Sequence, residues 1–167
     1  MVYTNFGAWD SLDSVSVDMR SCLYDLQDFK NLYENEPLPE GWERFIKEGF
    51  KNIMGSYLEL VKAMIYFGNK PYKIKANNFK ELLKESEHYN TLPKGSKDLL
   101  DSLRLLRNQD SHGYDIPEFI GMYELFIYNE PLFVDICNHC EYLVEVQNFR
   151  KSEVTNLTAK LNLNNLE

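Results

Sequence analysis

The chain predicts an all-α fold, a helical bundle of about five helices plus a short one, and three observations carry that expectation. Apolar residues recur at alternating spacings of three and four through most of its length. Turn-forming clusters such as Glu34-Asn35-Glu36-Pro37-Leu38-Pro39 separate those runs. No stretch alternates apolar and polar residues as a half-buried strand does. With 167 residues, 44% of them hydrophobic, and 21 Tyr plus Phe, the chain can bury one core without disulfide or metal staples. A single domain over 1–151, followed by a polar tail over 152–167, is expected.

Each element can be justified in turn. Leu12, Val15, Met19, Cys22, Leu26, Phe29 and Tyr33 form one seam, predicting a helix from about Ser11 to Asn35 with Asp10 or Ser11 as N-cap. Trp42, Phe45, Ile46, Phe50, Ile53, Met54, Tyr57, Leu58, Val61, Met64 and Ile65 predict a long second helix, closed by Gly68 and Pro71. Phe79, Leu82 and Leu83 mark a short third helix after Asn77 and Asn78. Ser96 is read as the cap of a fourth, which buries Leu99, Leu100, Leu103 and Leu106, turns Arg104, Arg107 and Asn108 outward and ends at Gly113. Asp115-Ile116-Pro117-Glu118 has the form of a capping box, so another helix should run from Ile116 to about Tyr128. Pro131 ends or kinks it, and helical spacing resumes from Leu132 to about Lys151. The Asn-rich remainder is expected to be loose.

Composition narrows the function classes. Net charge is −8, which opposes general nucleic-acid binding. The charge is unevenly spread, however: residues 69–108 hold nine Lys and Arg against five Asp and Glu, a net +4, leaving −12 elsewhere. A polyanion can therefore be received at one place while the rest of the surface repels it. The first residues lack a charged n-region and an apolar h-region, and no uncharged apolar run approaches a membrane span. Three cysteines argue for reduced thiols. A cytoplasmic protein with no membrane partner is the expectation.

The most informative stretch is Arg107-Asn108-Gln109-Asp110-Ser111-His112-Gly113-Tyr114. Arginine presents a planar fork to phosphate oxygens, and histidine transfers protons near neutral pH without a metal. On a regular helix Asn108 and His112 share a face, so the amide can orient the imidazole. Arg107 lies five residues from His112, about 140° around the helix. One straight copy cannot easily aim both at one phosphate; a bend, or two copies meeting, would bring them together.

This octapeptide resembles the hallmark of the HEPN superfamily of small helical domains: Arg, a polar residue, three variable positions, then His. The following Gly113-Tyr114-Asp115 is similar to the HepT-type toxin branch and to the helical subunits that accompany minimal nucleotidyltransferases. The resemblance implies a metal-independent endoribonuclease, a toxin of a toxin-antitoxin pair or a phage-defence effector. Its site would be composed at a homodimer interface from Arg107 and His112 of both copies, with Asn108 orienting His112 or binding phosphate. Tyr114 would contact RNA or accept AMP from an antitoxin nucleotidyltransferase, and Arg104 and Lys97 are candidate RNA contacts. No cofactor and no metal are implied. The alternative is a non-catalytic subunit that binds a nucleotide or a nucleotidyltransferase.

Other constellations are weaker. Cys137-Asn138-His139-Cys140 has a metal-like spacing, with Cys22 and His88 as conceivable further ligands, but both cysteines fall on the apolar face of their helix. Glu48 and Glu59 sit among core positions of the second helix, where an acid can help orient a site or simply reach water at the stripe's edge.

Overall fold

The computed structural model describes residues 9, 11–35, 38–68, 76, 78–86, 92–109 and 116–165, with backbone only at 108, 109, 116–118, 164 and 165. Among these residues all the regular structure is helix: α1 (Leu12–Glu34), α2 (Trp42–Gly68), α3 (Phe79–Ser86), α4 (Ser96–Gln109) and α5 (Ile116–Asn165). The middle helix by position is α2, which packs against all four others. That placement explains its sequence. From Tyr57 to Phe67 almost every side chain is buried, because neighbours approach it from several sides.

Local signals set the helix ends. Ser11 is extended (φ −155°, ψ 163°), and its hydroxyl accepts a hydrogen bond from the Ser14 amide at 3.4 Å, which fixes the start of α1. Asn78 does the same for α3, accepting from the Glu81 amide at 2.9 Å. Gly41 and Gly95 take positive φ (84° and 88°) in the turns before α2 and α4, a conformation that side chains resist. Ser96 does not cap α4. It is the first helical residue, its amide bonds to the Pro93 carbonyl at 3.1 Å, and its buried hydroxyl has no partner among the described residues.

The expected break at Pro131 is a kink inside one continuous helix. Asn129 leaves helical geometry (φ −123°, ψ 17°), so Pro131 falls in the first turn of the onward segment, where its missing N–H is tolerated. The Asn129 amide nitrogen donates to the Leu125 carbonyl at 2.9 Å, covering an acceptor at the kink. Beyond the bundle, 152–165 is helix rather than the loose tail expected from its composition. Its described side chains are all exposed.

Aromatic rings from three helices fill the core. Phe50 of α2 meets Phe119, Tyr123 and Phe126 of α5 at centroid distances of 5.6 to 5.8 Å, and Tyr33 of α1 joins Phe119 and Tyr123. Just past the kink Tyr57 packs on Phe133 and donates its hydroxyl hydrogen to the Phe133 carbonyl at 3.0 Å. Arg20 clamps Glu141 with two contacts of 2.9 and 3.0 Å, tying α1 to α5 at the rim.

Two glycines of α2 give opposite expectations. An alanine Cβ at Gly49 would lie inside contact distance of the Phe29 ring, 2.6 Å from Cε1, where α1 crosses α2. Overpacking costs about 1–3 kcal/mol and exceeds the gain of at most ~1 kcal/mol from helix propensity. A Cβ at Gly55 meets only Arg107 Nε, at 4.0 Å. In urea unfolding, Gly49→Ala is expected to be destabilised by about 1 kcal/mol, and Gly55→Ala stabilised by about 0.5–1 kcal/mol.

Candidate functional site

Arg107 belongs to the last turn of α4, and its guanidinium reaches across to α2. Arg107 Nη1 donates to Glu59 Oε1 at 2.7 Å. The same oxygen accepts from Lys62 Nζ at 3.0 Å. Lys62 is only 7% exposed and lies over the Phe79 ring of α3, 5.1 Å from its centroid. Glu59 therefore joins α2, α3 and α4 through two cations.

Asp101, one turn before Arg104 on α4, pairs with Arg104 at 2.8 to 2.9 Å. Arg104 is thereby largely spent on its own helix, with a side chain 16% exposed. Lys97 is partly buried in the first turn of α4. Asn108 lies on α4 by its backbone, and His112 and Tyr114 lie outside the described residues. Of the expected catalytic residues Arg107, Asn108 and His112, then, Arg107 is the one whose side chain is placed, and it is placed by Glu59. The basic stretch likewise lies outside the described residues at Lys70, Lys73 and Lys75.

A cleft of about 290 Å³ opens beside this ion pair, lined by Lys51, Asn52, Gly55, Ser56, Glu59, Arg107 and Met122. Its floor is α2, where positions 52, 55, 56 and 59 share a face by helical spacing. Gly55 leaves the floor low under the guanidinium, and Asn52 and Ser56 are exposed there. Sequence reading missed Lys51, Asn52 and Ser56. The signal was present as a polar stripe interrupting an apolar helix, but it looked like an ordinary solvated edge.

The Glu59 carboxyl is held ionised by its two partners. Burial alone would push the Glu59 carboxyl up, but hydrogen bonds from Lys62 and Arg107, and then their charges, hold it below the ordinary carboxylate value. It is an anion at neutral pH facing two cations, Lys62 and Arg107.

The cysteines lie apart from this cleft, in the core between α1, α2 and α5. Burial pushes the Cys137 and Cys140 thiols up to about 12, and Cys137 donates to the Met19 carbonyl at 3.7 Å. Protonated thiols packed this way behave as small apolar side chains. Among the described residues no group of three or more His, Cys, Asp and Glu is arranged to hold a metal ion. No described helix is long and apolar enough to cross a membrane.

Glu59→Gln is expected to remove the carboxylate charge that faces both Lys62 and Arg107. The loss at pH 7 is put at roughly 1–2 kcal/mol, the buried-pair cost reduced because Glu59 still reaches solvent. Because the folded-state carboxyl is depressed, its contribution is present above the ordinary value of 4.5 and fades as pH falls through the lower folded value. Urea titrations of both proteins from pH 7 to pH 3 should show the difference shrinking below about pH 4.5. No protein-family model, curated protein or solved structure matches this chain.

Proposed function

We propose that this chain is a metal-independent endoribonuclease of HEPN type, a toxin of a toxin-antitoxin pair or a phage-defence effector, acting as a homodimer. The observation that carries the reading is Arg107, the first residue of the octapeptide, fixed by Glu59 at the edge of a cleft floored by α2. An arginine held by a second-helix carboxylate is oriented before substrate arrives, which is what transition-state stabilisation requires. Asn108 follows it on α4, and His112 comes four residues later in the chain.

In the proposed reaction the 2′-hydroxyl of a ribose attacks the adjacent phosphorus. His112 takes the hydroxyl proton, and the bond to the 5′-oxygen breaks. That oxygen is protonated in turn, leaving a 2′,3′-cyclic phosphate and a 5′-hydroxyl. Arg107 neutralises the charge that gathers on the non-bridging oxygens. Arg107 and His112 of both copies compose the site, and Asn108 orients the imidazole. Lys51, Asn52 and Ser56 would hold the neighbouring backbone phosphate along α2.

A second reading is favoured by the modest cleft and the acidic remainder of the chain: a non-catalytic subunit that binds a mononucleotide or a minimal nucleotidyltransferase. The two separate cleanly. Purified protein incubated with RNA in EDTA should cleave it, with Arg107→Ala and His112→Ala reducing the rate by about 10²-fold or more. Equal cleavage by all three proteins, or none by the wild type freed of any antitoxin, rejects the nuclease. Nucleotide binding by an inactive wild type would then establish the second reading.

A further inference from the structure

We propose that the exposed end of α5 is a self-association surface, on which a second copy of this chain docks as an antiparallel helix. The inference goes beyond the ribonuclease reading and does not depend on it.

Within the bundle, the seam Phe133, Ile136, Cys137, Cys140 and Leu143 of α5 faces the core, and Gln147 closes it by donating to the Phe67 carbonyl at 3.0 Å. The same seam then leaves the bundle. Val154, Leu157 and Leu161 continue it at spacings of three and four, yet they are 64%, 59% and 55% exposed. All described side chains from 148 to 163 are exposed, and none of the described residues of the same copy covers this face. A helix end with few neighbours and a continued apolar seam matches a coiled-coil half more closely than a solvated tail.

The charges select the partner and its direction. With Val154 and Leu161 as a positions and Leu157 as d, Glu153 and Lys160 both fall at g. In an antiparallel pair g faces g. The register that sets Val154 against Leu157 of the second copy, and Leu157 against its Val154, also sets Glu153 against Lys160 of the second copy, twice by symmetry. Leu161 then packs on the aliphatic stem of Arg150. A parallel pair sets Glu153 opposite Thr158 and Lys160 opposite Asn165, so neither charge is met. Self-complementarity of apolar layers and ion pairs in one register identifies the occupant as the chain itself. The overlap, 150–161, spans roughly 18 Å of helix.

Sedimentation of the full chain over a wide concentration range tests this, because the altered residues are exposed and the bundle should fold unchanged. The wild type should dimerise. Glu153→Lys and Lys160→Glu should each weaken the dimer about tenfold by replacing attraction with repulsion at two symmetric places. The double reversal should return within about threefold of wild type. Leu157→Glu should abolish association through α5, leaving only the species that the rest of the chain forms, whether monomer or a dimer made at Arg107 and His112. A monomeric wild type, single reversals without effect, or a double reversal as weak as the singles would each overturn the proposal. RNA cleavage measured on the same variants reports on the nuclease reading separately.

Discussion

The Glu59 carboxylate is the constraint on which the candidate site depends. It sits at the edge of the most buried stretch of α2, where an unpaired ammonium at Lys62 would be costly. By accepting from both Lys62 and Arg107 on one oxygen, it compensates the buried charge and anchors the end of α4. α4 leans mainly on α5 and touches α2 only sparingly, so this ion pair does much to set where Arg107 points. The same residue that makes Lys62 tolerable also fixes the direction of the only octapeptide side chain placed among the described residues.

The apolar half answers to a different requirement. α5 must follow α1 and α2 along the bundle, and a straight helix would not do so. Asn129 and Pro131 supply the change of direction, with the proline in a first turn and the asparagine amide covering the Leu125 carbonyl. On either side of the bend, aromatic rings lock the new course: Phe119, Tyr123 and Phe126 against Phe50 before it, Phe133 against Tyr57 after it. The Tyr57 hydroxyl, fully buried, resolves its own desolvation by donating to the Phe133 carbonyl. Packing and hydrogen bonding therefore specify the same geometry at the kink.

How far the sequence disclosed this differs by residue. Seams such as Leu12, Val15, Met19 and Leu26 placed the helices well, because periodicity reports burial directly. Ser96 misled, because a serine before an apolar run looks the same whether it caps or opens the helix. The segment after Ser152 misled in the other direction: its Asn and Thr content suggested looseness, while the spacing of Val154, Leu157 and Leu161 already carried a helical seam. Glu59 was visible as an acid among core positions, but whether it met water or cations depended on Arg107, 48 residues away. Lys51, Asn52 and Ser56 were illegible for the same reason, since a polar stripe becomes a cleft wall only when another helix end stands over it.

An arginine already paired with a carboxylate can still receive an anion, because one carboxylate oxygen occupies few of its donors. Glu59 stands between two cations, Lys62 and Arg107, and its one oxygen is shared by both. Arg107 commits one of five N–H donors to Glu59, and a fixed guanidinium loses less entropy on meeting a phosphate than a mobile one. The carboxylate thus acts as a positioning group, weakening ground-state attraction slightly while narrowing the orientations available. For a chain of net charge −8, a preset guanidinium is a physically consistent way to offer an anion one receptive place while the acidic remainder repels it.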